Sequence, residues 1–336
     1  MNERQRLAPR LRRLRDRAAI RAAVRRWFEE QGFLEVETPA RVPSPGQEVH
    51  LDAIGASEGR FLITSPEYHM KRLVAAGLPR IMQMGRCWRG GERGSHHEPE
   101  FTMIEWYRAG AALEDIANDC EAVLAVAARA VGRGLEVDVP AGRGGGAASK
   151  LAIAAPFERV TVRQALQKRA GITLRGDETV HELRTAAARA GCAIAADAGW
   201  DDIFFQVFLD KVEPHLGVGH PTFVFDWPVP LGALARRKAD DPRLVERFEL
   251  YAGGLELANA FGELTDPVEQ RARFLAEAEH RRRLGRTIYP IDERLLSALA
   301  DMPPTCGVAL GFDRLVMLVT GAETIRDVVA FAEGEI

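Results

Sequence analysis

The residues of this chain best suited to chemistry lie in three separate segments, and the first is residues 85–107. This stretch, GRCWRGGERGSHHEPEFTMIEWY, crowds arginine, histidine and glutamate between two apolar runs. It predicts a β-hairpin whose glycine-bearing loop exceeds the roughly two to five residues of an ordinary turn. Arginine side chains present planar forks of N–H donors that match phosphate oxygens. The loop is therefore a candidate phosphate-binding site, with a solvated surface loop as the alternative.

The second segment, residues 306–318, predicts a strand followed by a helix. Its sequence, CGVALGFDRLVML, is an apolar run, a glycine, and then Asp313 and Arg314 at the start of an amphipathic pattern. An arginine at such a junction lies over the end of a sheet, although a lone arginine in a first helical turn is usually a surface residue.

The third segment, residues 247–266, predicts a second hairpin that carries two carboxylates. Apolar-alternating runs meet at Gly253–Gly254, the signature of a tight turn. Glu256 and Glu263 are seven positions apart, so a straight strand would place them on opposite faces. For both to face one site, the chain must turn near residues 260–262. They would then hold a divalent cation on a phosphate, and hard oxygen ligands favour magnesium; exposed glutamates are the alternative.

In this order, the three segments resemble the catalytic core of class II aminoacyl-tRNA synthetases, and specifically its lysyl branch. The matching motifs are TSPEYHMKRL (64–73), HEPEFTMIEWY (97–107), ELANAFGELTD (256–266) and GVALGFDRLVML (307–318). They are most similar to the short lysyl-tRNA synthetase paralogues that ligate β-lysine to elongation factor P, over about residues 18–331. The resemblance implies an α+β fold with one antiparallel sheet flanked by helices. It also implies a homodimer, built through the helix, strand and proline that end at Pro39.

The resemblance further implies an ATP and magnesium site. Arg89 would contact the α-phosphate, Arg314 would reach ATP from the C-terminal helix, and Phe101 would stack on adenine. Glu256 and Glu263 would share the magnesium ion. The implied catalytic residues are Arg89, Arg314 and Glu256. The implied ATP-binding residues are Arg89, Gly90, Gly91, Glu92, His97, Glu98, Phe101, Glu256, Leu257, Gly311 and Arg314.

A lysine-type substrate carries two ammonium groups, which need acidic partners. By resemblance Glu67 and Glu263 supply carboxylates and Tyr107 adds a hydroxyl. Ala309 stands where lysyl-tRNA synthetases carry glycine, and its methyl group is expected to narrow the pocket against α-lysine while admitting the β-isomer. The implied substrate-binding residues are Ser65, Pro66, Glu67, Tyr107, Asn259, Glu263 and Ala309.

Two positions depart from the family pattern. After Arg89 the family has Asn-Glu, whereas this chain has Gly90 and Gly91, so the glutamate expected near the adenine amino group is missing. Glu92 would replace it if the loop shifts by one residue, which two glycines permit. Glu98 replaces a family asparagine beside ATP, and its charge requires magnesium or Arg86 to offset it.

The chain has 336 residues, of which 46% are hydrophobic and 28% are charged, and this composition agrees with a soluble protein. Its net charge of −3 does not suggest a protein that binds polyanions. The four cysteines are widely spaced, which favours free thiols in the cytoplasm. The sequence shows no membrane span and no signal peptide.

Length alone favours two domains, but the resemblance implies one, covering residues 18–336 with an insertion at 140–220. Residues 1–17 form a basic N-terminal extension. Residues 4–26 hold ten arginines and leucines at helical spacing. They predict an amphipathic helix with a solvated basic face, rather than a surface that receives RNA or an acidic protein. The glycine-rich residues 142–149 predict a linker.

The expected function is therefore ATP-dependent activation of (R)-β-lysine or lysine and its transfer to a lysine side chain of elongation factor P. About 18 residues precede the first family motif, which leaves no room there for an anticodon-binding barrel and argues against tRNA as acceptor. Two alternatives stay open. One is an altered paralogue that only binds or regulates, and the other is a lysine ligase with a different acceptor.

Overall fold

The structure, a computed structural model, describes residues 2–143, 146–232 and 234–336. Within these ranges the helices are α1 (Glu3–Leu7), α2 (Leu11–Glu30), α3 (Glu67–Ala75), α4 (Leu113–Ala130), α5 (Val162–Ala170), α6 (Val180–Arg189), α7 (Trp200–Val207), α8 (Pro267–Arg283), α9 (Glu293–Leu299) and α10 (Phe312–Thr320). The strands are β1 (Leu34–Glu35), β2 (Arg41–Val42), β3 (Gly55–Ala56), β4 (Arg60–Leu62), β5 (Arg80–Trp88), β6 (Glu100–Ala109), β7 (Glu136–Val139), β8 (Ser149–Ala152), β9 (Glu158–Thr161), β10 (Thr222–Pro228), β11 (Leu244–Ala252), β12 (Leu255–Gly262) and β13 (Thr305–Gly311).

An eight-stranded sheet in the order β1-β5-β6-β13-β12-β11-β10-β9 forms the centre of the described fold. Every pair from β5 to β10 is antiparallel, whereas the edge strands β1 and β9 pair in parallel. The predicted α+β class is confirmed. The expectation of a wholly antiparallel sheet holds only for its interior, because both edge strands are separated from their partners by long connections that allow parallel pairing.

Both predicted hairpins are present. Strands β5 and β6 pair along their full length, from Arg80 opposite Arg108 to Trp88 opposite Glu100. Strands β11 and β12 join at Gly253 and Gly254, whose φ angles of 57° and 72° require glycine and suit a tight hairpin turn.

The core on one face of the sheet is built around α2, α4 and α10. Ile20, Val24 and Phe28 of α2 are buried, and the ring of Phe28 lies 5.1 Å from that of Trp106 in β6. The single helix predicted for residues 4–26 is instead two helices, α1 and α2. The break falls at Pro9, which lacks the N–H that a helix interior requires.

The predicted insertion, residues 140–220, adds strand β9 to the edge of the large sheet. Helices α5 to α7 pack there on an apolar cluster that includes Phe204, Phe208 and Trp227. Part of the predicted linker, residues 144 and 145, lies outside the described residues. In the described part of the chain, none of the helices is both long and apolar enough to cross a membrane.

Candidate active site

A cavity of about 510 Å³ lies against the central strands of the sheet. It brings together residues from the β5–β6 loop, β12, β13 and the start of α10, which are distant in sequence. The predicted site residues that line it are Ser65, Glu67, Arg89, Glu92, His97, Glu98, Phe101, Glu256, Leu257, Asn259, Ala309, Gly311 and Arg314. The other predicted residues, Pro66, Gly90, Gly91, Tyr107 and Glu263, lie outside this lining.

Arg314 is fixed by contacts to both neighbouring segments. Its Nη1 donates to the backbone oxygen of Glu256 at 2.7 Å and lies 3.7 Å from that carboxylate. Its Nη2 lies 2.5 Å from Nε2 of His97. Burial, and then the charge of Arg314, lowers the pKa of His97, so a neutral ring can accept this hydrogen bond. The guanidinium is therefore held in one orientation at the cavity wall.

Arg89 provides the second guanidinium of the cavity. Its Cζ atom lies 5.1 Å from the centre of the Phe101 ring, which is a cation–π contact. Glu92 lies 3.7 Å from Arg89 and shares the cavity. Two fixed cations, an aromatic ring and an acidic loop residue thus meet at one end of the cavity, which we call the cationic end.

The fold explains why glycine occupies positions 90 and 91, where the sequence departs from the family pattern. The Gly90 N–H donates to the backbone oxygen of Asp52 at 2.6 Å, and a Cβ at this position would lie 3.2 Å from that oxygen. Gly91 has φ of 79°, a conformation that favours glycine. The loop is therefore anchored against residue 52.

Asp52 is held in turn by Arg281, a fully buried arginine of α8. Arg281 donates to the Asp52 carboxylate at 2.7 Å and to the backbone oxygens of Glu48, Val49 and Leu51 at 2.8–3.0 Å. Helix α8 thereby fixes the segment on which the glycine loop rests.

Glu67 lines the cavity and belongs to a buried group of charged side chains that includes a lysine. Lys71 Nζ is 2.6 Å from carboxylate oxygens of both Glu67 and Glu263. Burial alone would lower the pKa of Lys71, but the two carboxylates outweigh it and raise that pKa above its ordinary value. We call this group, together with Glu105, the acidic end.

Glu105 is a site residue that the sequence reasoning missed. Its carboxylate is 2.5 Å from Ser65 Oγ and 3.1 Å from the Tyr107 hydroxyl, both of which donate to it. Burial, reinforced by the charge of Glu67, raises the pKa of Glu105 to about 8. The signal was available, because strand alternation places Glu105 on the same face of β6 as Phe101 and Tyr107.

Strand register places Ala309 next to these groups. In β13, Ala309 lies opposite Glu105 on one side and opposite Asn259 on the other. The Asn259 side-chain oxygen accepts a hydrogen bond of 3.1 Å from Arg247. The Ala309 methyl group lies in the cavity lining between an acidic and an amide side chain.

The prediction that Glu256 and Glu263 share a metal ion is wrong. Strand β12 continues from Leu255 to Gly262 with one register irregularity, between Glu256 and Ala258, but without the reversal that convergence requires. Seven residues of strand span about 23 Å. Glu263 is instead bound to Lys71 in the acidic end, whereas Glu256 is half-exposed beside Arg314.

Glu249 of β11, also missed by sequence reasoning, is the carboxylate near Glu256. Both line the cavity. Burial raises the pKa of Glu249; Arg247 opposes the rise, and the charge of Glu256 adds to it. The carboxylates of Glu249 and Glu256 fit magnesium, which protein sites usually hold with one or two carboxylates plus substrate phosphates. Among the described residues, no group of three or more acidic, histidine or cysteine side chains could hold a metal by itself.

Comparison with known proteins agrees with this geometry. The chain matches the family described as tRNA synthetases class II (D, K and N) over residues 6–335. It is 41% identical over 330 residues to proteins named elongation factor P--(R)-beta-lysine ligase from Salmonella paratyphi B, Salmonella schwarzengrund and Salmonella heidelberg. Each alignment covers 94% of this chain and 93% of the relative. The chain therefore belongs to the class II tRNA synthetase family.

Proposed function

We propose that this protein activates (R)-β-lysine or lysine with ATP and transfers it to a lysine side chain of elongation factor P. The observation that carries the proposal is that arginine and glutamate side chains line different parts of one cavity. Its cationic end holds Arg89 and Arg314. On its acidic side Ser65 and Glu67 line the cavity, Lys71 joins Glu67 to Glu263, and Ser65 joins Glu67 to Glu105. A polyphosphate fits the first, and an amino acid with a second ammonium group fits the second.

The cationic end lowers the barrier to adenylate formation. Joining a carboxylate to a triphosphate brings two anions together, and guanidinium groups fixed before the reaction stabilise the charge that develops at the α-phosphorus. Arg314 is suited to this role because its contacts to Glu256 and His97 hold its orientation. Phe101 offers a ring face for the base, beside Arg89.

The residues that would hold magnesium are Glu249 and Glu256. The ion would offset phosphate charge when bound with ATP. Glu263, held by Lys71, belongs instead to recognition of the amino acid.

The acidic end selects for a diammonium substrate. Lys71 already compensates part of the charge of Glu67 and Glu263, while Glu105 is bonded only to the hydroxyls of Ser65 and Tyr107. Glu105 is therefore the carboxylate most available to a substrate ammonium group. A neutral amino acid would leave these buried acids unmatched, which gives strong discrimination.

The choice of acceptor rests on the named activity of the relatives, which cover nearly the whole chain. We propose a protein lysine rather than tRNA. We also propose a homodimer, and a reaction in the cytoplasm, where the four buried and free cysteines would stay reduced.

Mass spectrometry of elongation factor P tests the proposal. Elongation factor P is incubated with this protein, ATP and each lysine isomer, and a lysine tRNA transcript is offered in parallel. The proposal predicts a mass increase of one lysyl residue on elongation factor P, with one isomer preferred, and no aminoacylated tRNA. Labelling of tRNA alone, or of neither acceptor, would contradict it. Elongation factor P with its acceptor lysine replaced by arginine is the control.

A further inference from the structure

The last residues of the chain pack on the part of the β5–β6 loop that follows Glu92 of the cationic end. We call residues 325–335 the C-terminal segment and residues 93–98 the nucleotide loop. The Ile325 N–H donates to the Ser95 backbone oxygen at 2.8 Å. The Arg93 guanidinium forms two hydrogen bonds, of 2.8 and 2.6 Å, with the Glu333 carboxylate. The two segments are thus joined by backbone and side chains.

Glu98 is the buried centre of this contact. Its side chain is only 5% exposed. One carboxylate oxygen accepts from Arg326 Nε at 3.2 Å and the other from the Glu333 N–H at 3.0 Å. A buried carboxylate is costly without partners, so these two donors fix where Glu98 lies. The predicted compensation by Arg86 is wrong, because Arg86 pairs with the exposed Glu100 at 3.4 Å.

The C-terminal segment is anchored in turn by the N-terminal helices. Arg10 forms hydrogen bonds of 2.6 and 2.8 Å with both carboxylate oxygens of Glu335, and Arg6 lies 3.0 Å from the same group. Arg17 donates to the Val328 backbone oxygen at 3.4 Å. Some arginines of the basic N-terminal extension were expected to be solvated but instead bind the C-terminal segment.

On its inner side the nucleotide loop contacts Arg314. The Arg314 side chain donates to the His96 backbone oxygen at 3.4 Å and contacts His97. The loop is therefore held between Arg314 on one side and, on the other, the C-terminal segment, whose first residue, Ile325, also lines the cavity. We infer that Glu98 is a positioning residue, which holds the nucleotide loop in its ATP-binding conformation through Arg326 and the Glu333 backbone. The ATP role rests on the proposed function, whereas the restraint on the loop does not.

Amide hydrogen exchange of the nucleotide-free protein tests the restraint directly. In Glu98→Gln, the amides hydrogen-bonded at this contact, those of Gly94, Ile325 and Glu333, should exchange about tenfold faster, since a lost charge-assisted hydrogen bond contributes roughly this much. Glu100→Gln is the matched control, because Glu100 is 54% exposed at the start of β6, two residues after Glu98. The amides of this variant should exchange as they do in the wild type. Arg326→Gln should reproduce the effect, and the double variant should add little to either single change.

Kinetics separate positioning from a general loss of structure. Glu98→Gln should raise the KM for ATP by about tenfold and change kcat by less than about threefold, because the loop must be ordered on binding. Unchanged exchange in both Glu98→Gln and Arg326→Gln, or equal effects from Glu100→Gln, would overturn the inference. If Glu98→Gln does not fold, Arg93→Gln removes the exposed contact to Glu333 and should still accelerate exchange at Gly94. If the wild type activates no lysine isomer, the proposed function is wrong. The amide hydrogen-exchange result would still test the restraint on the nucleotide loop.

Discussion

The Ser65 hydroxyl donates a 2.5 Å hydrogen bond to the Glu105 carboxylate, which links the helix start at residues 65–67 to the centre of β6. The same Ser65 oxygen accepts a hydrogen bond of 3.0 Å from the N–H of Glu67, the first residue of α3. One hydroxyl thereby sets the spacing between two acids of the amino-acid pocket. It also helps to explain how Glu105 remains in the core without a cation bonded to it.

Glu105 makes the stability of the fold depend on pH. Its pKa is about 8 in the folded protein against an ordinary 4.5, so the folded state binds the extra proton. The free energy of unfolding contributed by this group is fully present below pH 4.5 and is lost as pH rises through 8. Glu105→Gln should remove this loss. Urea unfolding at pH 5 and pH 8 should show the variant gaining roughly 1–4 kcal/mol relative to wild type at the higher pH. A constant difference at both values would contradict the account.

Arg314 and Glu256 should be required for adenylate formation. Arg314→Ala removes a preorganised cation, and Glu256→Gln weakens both the metal donor set and the charge that faces Arg314. Each should lower ATP–pyrophosphate exchange by about 10²–10³-fold or more, with little change in thermal stability. Arg294→Ala, which replaces an exposed arginine of α9, is the control. Exchange that survives in either site variant would show that the cationic end is misassigned.

Substitutions of Glu249 and Glu263 should differ in their effects on the magnesium requirement and on lysine binding. Glu249→Gln should raise the magnesium concentration needed for half-maximal exchange by about tenfold, because it removes one of two carboxylates near the phosphates. Glu263→Gln should leave the magnesium requirement unchanged and weaken lysine binding. Magnesium titrations of both variants at saturating lysine provide the measurement. The reverse pattern would restore the metal role first predicted for Glu263.

Ala309 should control the choice between lysine isomers. Its position between Glu105 and Asn259 means that Ala309→Gly enlarges the pocket where the substrate backbone and ammonium group meet. The kcat/KM for α-lysine should rise on the order of tenfold relative to β-lysine. An unchanged ratio would remove Ala309 from the account of specificity.

Local patterns predicted the two hairpins, and the family resemblance identified thirteen of the residues that line the cavity. The alternation from Phe101 to Tyr107 predicted β6, and Gly253–Gly254 predicted the β11–β12 turn. Both predictions succeeded because strand alternation and tight turns are determined by residues adjacent in the sequence. The metal role of Glu263 was implied by the family resemblance and is wrong because seven residues of strand separate it from Glu256 by about 23 Å. Glu249 lies in the preceding strand, outside the motif quoted for the family.

Contacts between distant segments could not be predicted from one sequence. Arg326 contacts Glu98, which lies 228 positions earlier in the sequence. A local sequence pattern cannot predict a contact between residues so far apart. The same holds for Arg17 of α2, which forms an ion pair of 2.5 Å with Asp313 beside Arg314. Only the fold shows that the basic N-terminus supports the cavity.

Amino-acid-dependent ATP–pyrophosphate exchange tests the central claim most directly, because it needs no acceptor. The claim is that a nucleotide and a diammonium amino acid occupy opposite ends of one cavity. Exchange should therefore require a lysine isomer, should be absent with norleucine, and should disappear in both Arg314→Ala and Glu105→Ala. Absence of exchange with every lysine isomer, or equal exchange with norleucine, would contradict it.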